Sequence, residues 1–209
     1  MRGVGWDASH GEFLVEDYYY LSKLGKLLRE KGIKVNQVED FDELEEYDVI
    51  VFNYPEEEFE KKEVERIEKW LSEGKRIIFA AYYQDMDKTA TNINKVLSEL
   101  KIPLRINNDV VIDSKNNLGD EMFPLCKYNG YTVVMPCTSS LIVAGGNALV
   151  LSSGITKPKK RKNPIVGAMY KNGGELVVLG TCVFWDNYSL DLVDNKILAF
   201  DLLTGKRIK

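Results

Sequence analysis

Four short segments of this chain carry side chains that could do chemistry. The first contains Asp7, His10 and Glu12, two carboxylates beside the chain's single histidine. Such a trio could ligate a metal ion or perform acid–base chemistry. In the structural alternative, which is the more common outcome for so short a motif, Asp7 binds backbone amides and a carboxylate holds the histidine. Because no further ligands of the right type lie nearby in sequence, we assign no metal and no cofactor.

The other three segments each follow an apolar run. Asn53 ends one run, Tyr82 and Gln84 lie at and beyond the end of the next, and Trp185 and Asp186 follow a late one. Aromatic rings cover the apolar faces of a ligand while amides and carboxylates meet its hydroxyl groups. The sequence therefore predicts a binding site for a small polar ligand, built from Asp7, His10, Glu12, Asn53, Tyr82, Gln84, Trp185 and Asp186.

Three further features have a structural interpretation. Cys182 follows a strand and could be a reactive thiol, but a nucleophile needs a base, so we interpret it as a small buried apolar residue. The run Tyr18-Tyr19-Tyr20 is expected on the packing face of the first helix and its rim, and a platform on which a ligand stacks is the alternative. The basic run from Lys157 to Lys162 is typical of a solvated loop, although a polyanion could also bind such a patch.

The apolar runs themselves predict the elements that position these residues. Continuous apolar runs are typical of strands buried on both faces, and their alternation with helical patterns indicates a parallel sheet. The expected strands are Val4–Asp7, Ile33–Val38, Asp48–Tyr54 and Arg76–Tyr83, and the expected helices are Leu21–Lys31, Glu56–Glu73, Thr91–Leu100 and Asp191–Leu203. Since ligands collect at the carboxyl ends of parallel strands, the four segments are expected to meet in one crevice.

After Pro103 the pattern changes to short β-like runs separated by Gly, Asn and Ser. We expect a β-rich extension over residues 105–170. Asn172-Gly173-Gly174 predicts the turn of a hairpin that joins Ile165–Tyr170 to Glu175–Leu179. With no convincing linker, the sequence indicates one α/β domain over residues 1–209.

The amino-acid composition of the chain limits the classes of partner that it is expected to bind. The chain has 28 basic and 32 acidic residues and a formal net charge of -4, which makes nucleic acid an unlikely partner. The three cysteines are widely spaced and suit a reducing cytoplasm. No window approaches the ~20 apolar residues of a membrane span, so we expect a cytoplasmic protein. Abundant Lys and Glu with one His are reminiscent of thermophile proteins.

The order of these features resembles the class I glutamine amidotransferase-like superfamily. The resemblance lies in Asp7, Ser9 and His10 at the start, a Leu-rich helix, Tyr47-Asp48-Val49-Ile50-Val51, a Glu-rich helix ending at Gly74, and a late strand before Asp194-Asn195. Within the superfamily the chain is most similar to GIFT-type domains, found in gliding-motility transporter accessory proteins and an intraflagellar-transport subunit. The resemblance implies a flavodoxin-like three-layer sandwich with a mainly parallel sheet, and carbohydrate or protein binding.

The chain departs from active amidotransferases at their catalytic residues. Where they place a nucleophilic Cys in a glycine-flanked elbow, this chain reads Phe79-Ala80-Ala81-Tyr82-Tyr83, and it has no late His. Without a thiolate and its base the acyl-enzyme route is closed. We therefore expect a non-catalytic domain that binds a small polar ligand, such as a saccharide, or a protein partner. The alternatives are a hydrolase that uses His10 with Asp7 or Glu12, with or without a metal, and a structural subunit that self-associates as a homo-oligomer.

Overall fold

The apolar runs form the central strands of a three-layer α/β/α sandwich. The computed structural model describes residues 3–11 and 13–205. The strands are β1 Val4–Asp7, β2 Val35–Val38, β3 Val49–Asn53, β4 Arg76–Ala80, β5 Leu104–Ile106, β6 Val110–Ile112, β7 Leu125–Tyr128, β8 Tyr131–Val134, β9 Leu141–Val143, β10 Asn147–Ser152, β11 Ile155–Lys157, β12 Ile165–Asn172 and β13 Gly174–Leu179. The helices are α1 Ser22–Glu30, α2 Lys61–Ser72, α3 Thr89–Glu99 and α4 Asn195–Thr204.

Five parallel strands form the core of the sheet in the order β2-β1-β3-β4-β13. This is the flavodoxin-like order, with the late strand β13 in the fifth position. Ile78 of β4 is paired with Val51 of β3 on one side and with Val177 of β13 on the other. The predicted mainly parallel sheet is confirmed.

The predicted β-rich extension continues the same sheet. β13 pairs antiparallel with β12 through a turn at Gly173, where φ is +74° and favours glycine. The sheet then runs through β10 and β7 to β8, with β9 and β5 attached beside β12, while β6 and β11 form a separate pair. The extension is therefore joined to the parallel core by a continuous ladder of backbone hydrogen bonds.

Helices cover both faces of the parallel core. α1 and α4 pack on one face, around Leu24, Trp6 and Leu198, and α2 and α3 pack on the other, around Trp70 and Ile93. All five side chains are fully buried. Burial of apolar surface on both faces explains why the central strands are continuous apolar runs.

Several predicted boundaries differ from the observed ones. Helix α2 was expected from Glu56 but begins at Lys61, because the side chain of Glu63 accepts a hydrogen bond from the Glu60 N–H at 2.7 Å and fixes the start there. Strand β4 ends at Ala80, which places Tyr82 in a turn. Among residues 3–11 and 13–205, no helix combines the length and the apolar character that crossing a bilayer requires.

Candidate functional site

A cleft of about 220 Å³ opens at the carboxyl ends of the parallel strands, where the sequence predicts a crevice. Its walls come from the segment between β1 and α1, the end of β3, the turn after β4 and the segment after β13. We call it the strand-end cleft. It is lined by Phe13, Tyr20, Leu21, Asn53, Tyr54, Tyr82, Cys182, Val183 and Asp186.

Three of the predicted site residues, Asn53, Tyr82 and Asp186, line this cleft. Asn53 ends β3, Tyr82 follows β4, and Asp186 lies in the segment after β13. The other described residues of the predicted set lie elsewhere: Asp7, His10 and Trp185 are buried in the fold, and Gln84 is exposed on a neighbouring turn. Glu12 lies outside the described residues.

His10 does not face the cleft, which corrects the expectation that it contributes to ligand binding. The side chain is 3% exposed, and its ring stacks on Phe59 with ring centroids 4.0 Å apart. Its Nδ1 lies 2.7 Å from Asp7 Oδ2, and its Nε2 lies 3.3 Å from Glu63 Oε2. The structural alternative, in which a carboxylate holds the histidine, describes this geometry.

Two carboxylates favour the charged form of this buried histidine. Burial acts to lower the pKa of His10, but the hydrogen bond to Asp7 and the charges of Asp7 and Glu63 outweigh it, so the pKa is raised above its usual value. Asp7 itself is fully buried and also accepts hydrogen bonds from the Ser9 backbone and hydroxyl. The cluster therefore ties the end of β1 to the start of α2.

Trp185 is likewise structural rather than ligand-binding. Its indole Nε1 donates a hydrogen bond to Asn53 Oδ1 at 3.0 Å, and its ring packs on Trp6 at 5.2 Å. The amide of Asn53 in turn donates to the Phe13 carbonyl at 3.1 Å. Asn53 therefore forms the floor of the cleft, and its amide already has partners on both of its polar atoms.

Aromatic rings form the walls of the cleft, and Tyr82 is the one that the sequence assigned to the binding site. Phe13 stacks on Tyr20 at 4.9 Å and on Tyr54 at 4.6 Å, and Tyr82 meets Tyr54 at 5.7 Å. Tyr20 precedes α1, which corrects the expectation that it packs on the face of that helix. Only Tyr54 carries a signal that could have identified it, since it immediately follows β3.

The backbone around the cleft is strained. Ten non-glycine residues with positive φ occur among the described residues, and five of them directly follow β3 or lie in the turn after β4. These five are Tyr54, Gln84, Asp85, Asp87 and Lys88. The Tyr54 hydroxyl donates to Asp87 Oδ2 at 2.5 Å and so connects the two segments. Such conformations cost about 1–3 kcal/mol each and are concentrated at functional sites.

Asp186 is the only charged side chain among the described lining residues. Burial raises the pKa of Tyr54, Tyr82 and Cys182, so these three groups stay neutral near pH 7. Burial also raises the pKa of Asp186, against the opposing effect of backbone N–H groups that donate to it. The cleft is therefore aromatic, with one partly desolvated carboxylate.

The described residues of the cleft do not pair a thiol with an imidazole. The positions after β4 are Ala81 and Tyr82, and the thiol that lines the cleft is Cys182, which is 3% exposed. His10 does not line the cleft. No group of three or more His, Cys, Asp and Glu side chains within residues 3–11 and 13–205 is arranged to hold a metal ion.

Sequence comparison finds a matching family model and a relative of similar length. A family model described as a domain of unknown function, DUF4350, matches residues 21–203. An uncharacterized protein of Aquifex aeolicus (strain VF5) is 36% identical over 219 residues, which covers 96% of this chain and 92% of the relative.

Solved structures share the fold. The N-terminal domain of mmIFT52 superposes with a TM-score of 0.81 at 22% identity, covering 99% of both chains. A ThuA-like protein from Bacteroides uniformis ATCC 8492 superposes with a TM-score of 0.55 at 15% identity, covering 98% of this chain and 92% of the other. At these identities the likeness establishes an α/β fold and nothing about activity.

Proposed function

The chain belongs to the DUF4350 family, and from this premise we propose that it is a non-catalytic binding domain whose strand-end cleft holds a small polar ligand. The observation that carries the proposal is the composition of the cleft. Rings from Phe13, Tyr20 and Tyr82 offer apolar surface, while Asp186 offers a hydrogen-bond acceptor. Binding sites combine a predominantly apolar lining with a few convergent polar groups in this way.

The size of the cleft indicates the size of the ligand. Its volume of about 220 Å³ is below the ~300–1,000 Å³ of sites for drug-sized molecules. A single small molecule, or one terminal unit of a larger one such as a saccharide, fits this space. The strained turn after β4 supports the same interpretation, because strain persists where a site must be held in one shape.

The geometry favours binding over the hydrolase alternative. A general base must reach the substrate proton within ~2.6–3.2 Å or through one water. His10 is enclosed by Phe59, Asp7 and Glu63 and contributes no surface to the cleft. Both of its ring nitrogens contact carboxylates inside the protein, so His10 is poorly placed to exchange a proton with a ligand.

A ligand screen tests the proposal. Monosaccharides, disaccharides, small amines and carboxylic acids would be tested by thermal shift, and hits would be measured by calorimetry. We expect Tyr82→Ala to weaken a true hit at least tenfold. Tyr19→Ala removes a ring that is 82% exposed outside the cleft and serves as the matched control. If every hit binds Tyr82→Ala as well as the unmodified protein, the cleft is not the binding site.

A second surface favours the alternative of a protein partner. Between α1 and α4 lies an apolar groove of about 460 Å³, lined by Leu27, Ile197 and Phe200 together with Lys31 and Lys196. Helix α4 buries Leu198 and Leu202 against the sheet, yet Ile197 and Phe200 are also apolar and half-buried. A helix that is apolar on every side is normally covered on every side.

The rim of this groove indicates the chemistry of its occupant. Lys31 and Lys196 line the groove, and no carboxylate does among the described lining residues. Lys196 also pairs with Asp191 at 2.6 Å, so Lys31 is the lysine of the lining without an ion pair in the described part of the chain. We therefore assign the groove to an acidic amphipathic helix of another protein. A second copy would bring lysine rims together, which opposes self-association.

The probe for the groove is a model helical peptide with Leu on one face and Glu on the other. Fluorescence anisotropy should show it binding at least tenfold tighter than a counterpart with Lys in place of Glu, and Phe200→Ser should abolish the difference. Light scattering provides the alternative outcome. If it shows a concentration-dependent dimer that Phe200→Ser converts to a monomer, the groove binds a second copy of the chain instead.

A further inference from the structure

We infer that the ligand of the strand-end cleft carries a positively charged alkylammonium group, held between the aromatic walls and the carboxylate of Asp186. This inference rests on the proposed function, because it concerns the same cleft. It goes further by naming the chemical class of the ligand.

The first observation is the aromatic wall. The face of an aromatic ring carries partial negative charge and attracts a cation within about 6 Å of its centre. Phe13 lies stacked with both Tyr20 and Tyr54, so the three rings form one wall in which Phe13 supports its neighbours and Tyr20 is the most exposed ring. Tyr82 stands at 61° to Tyr54, so a second ring plane borders the same space. Tyr20 is 49% exposed and Tyr82 is half-buried, which leaves ring surface for a ligand.

The second observation is the carboxylate. Asp186 Oδ1 accepts hydrogen bonds from the backbone N–H groups of Tyr188 at 3.0 Å and Ser189 at 2.7 Å. These bonds orient the side chain but bring no positive charge. In the described part of the chain, no Lys, Arg or His nitrogen forms an ion pair with Asp186. The charge of Lys23 acts to lower the pKa of Asp186, but the Lys23 ammonium pairs directly with Asp191 at 2.6 Å and not with Asp186. Burial of the Asp186 carboxylate therefore stays costly, and a bound cation would relieve that cost.

The two observations together discriminate between ligand classes. A neutral saccharide would use the rings but has no need of an unpaired carboxylate. An anion would be repelled by Asp186 and would find no positive side chain among the described lining residues. The raised pKa of Asp186 is consistent with a site that lacks its cation. An alkylammonium group can contact the aromatic rings and form an ion pair with the Asp186 carboxylate.

Choline and 3,3-dimethylbutan-1-ol form the decisive pair of probes, because they share one shape and differ in charge. Binding to the full chain would be measured by calorimetry and by NMR titration. We expect choline to bind about tenfold tighter than the neutral isostere. Asp186→Asn keeps an oxygen that can accept the two backbone N–H bonds but removes the charge, so it should reduce choline binding to the level of the isostere.

Two control variants accompany this test. Asp191→Asn removes a carboxylate outside the cleft and should leave the choline preference unchanged. Tyr82→Leu should weaken choline more than the isostere, because it removes a ring but keeps apolar surface. A choline preference that survives Asp186→Asn would overturn the inference, as would equal binding of the two probes.

The outcomes separate this inference from the function on which it rests. If a saccharide binds in a way that depends on Tyr82 while choline does not bind, the cation assignment is wrong and the binding function stands. If neither the screen nor choline gives a hit that depends on Tyr82, both are wrong.

Discussion

At the scale of single residues, the chain's one histidine has the geometry of the structural alternative, with carboxylates at both ring nitrogens. Sequence alone shows Asp7 three positions before His10 and so indicates a possible pair. It cannot show Glu63, which reaches the other ring nitrogen from helix α2. The histidine therefore joins two elements as a buried charge, because a carboxylate lies at each of its nitrogens.

The raised pKa of His10 predicts how stability depends on pH. A histidine whose pKa is higher in the folded state stabilises the fold fully below its unfolded pKa of ~6.5, and this contribution is lost as pH rises through the folded pKa. The free energy of unfolding should therefore fall as pH rises above about 6.5. Because the chain has one histidine, His10→Gln should remove most of that slope up to about pH 8. Urea unfolding at a series of pH values measures it, and a flat profile for the unmodified protein would mean that folding does not raise the pKa of His10.

Asn53 offers a test of a structural role inside the cleft wall. Asn53→Ala removes the acceptor for the indole of the fully buried Trp185 and should lower the free energy of unfolding by about 1–3 kcal/mol. Asn147→Ala, at an exposed strand position, should change it by no more than ~0.5 kcal/mol. Denaturant unfolding of both variants gives the comparison. Equal effects would show that the Asn53–Trp185 bond contributes little.

The sequence identified Asn53, Tyr82 and Asp186 as cleft residues because the carboxyl ends of parallel strands share one edge. It missed Phe13 and Tyr20 because they lie in an irregular segment where neither helical nor strand periodicity applies. Their positions follow from long-range contacts, such as the bond from Asn53 to the Phe13 carbonyl.

At the scale of elements, long apolar strands and helices were predictable, and so were some short strands such as β9, whereas other short strands were not. β3 and β4 were expected within a few residues of their observed bounds, since burial on both faces imposes continuous apolar runs. β5, β7 and β11 were not expected, because three or four residues carry too little pattern to separate a strand from a loop. The start of α2 was missed since a Glu-rich segment precedes its cap.

Gly180 supports a prediction about the end of β13. A Cβ at this position would lie 2.0 Å from the Ser139 carbonyl oxygen, so the two segments must separate in Gly180→Ala. We expect a loss of about 1–3 kcal/mol in the free energy of unfolding, measured by thermal or urea unfolding. Gly25→Ala is the matched control, because a Cβ in helix α1 would meet nothing closer than 3.4 Å. That control should be neutral or stabilising by up to ~1 kcal/mol. If both variants behave alike, the close approach at Gly180 is not rigid.

At the scale of the whole molecule, one eleven-stranded sheet contains strands from both halves of the chain. The parallel first half and the antiparallel second half meet at β13, which pairs with β4 on one side and β12 on the other. We therefore propose that residues 1–209 form a single domain.

A single domain predicts a single unfolding transition. Near-ultraviolet and far-ultraviolet circular dichroism and tryptophan fluorescence should give coincident denaturation curves. Separate curves would mean that the two halves unfold independently despite the shared sheet.

The position of β13 has a consequence for the nascent chain. Residues 81–173 must be synthesised after β4 before its parallel neighbour exists. Until then the ribosome-bound chain presents one side of β4 as an unpaired edge, and such edges invite aggregation. Pairing across so long a separation is also slow. The cleft needs Tyr82 after β4 and Asp186 after β13, so it is completed only when β13 and the segment after it have left the ribosome, and a ligand that binds there would recognise only chains in which β13 has joined the sheet.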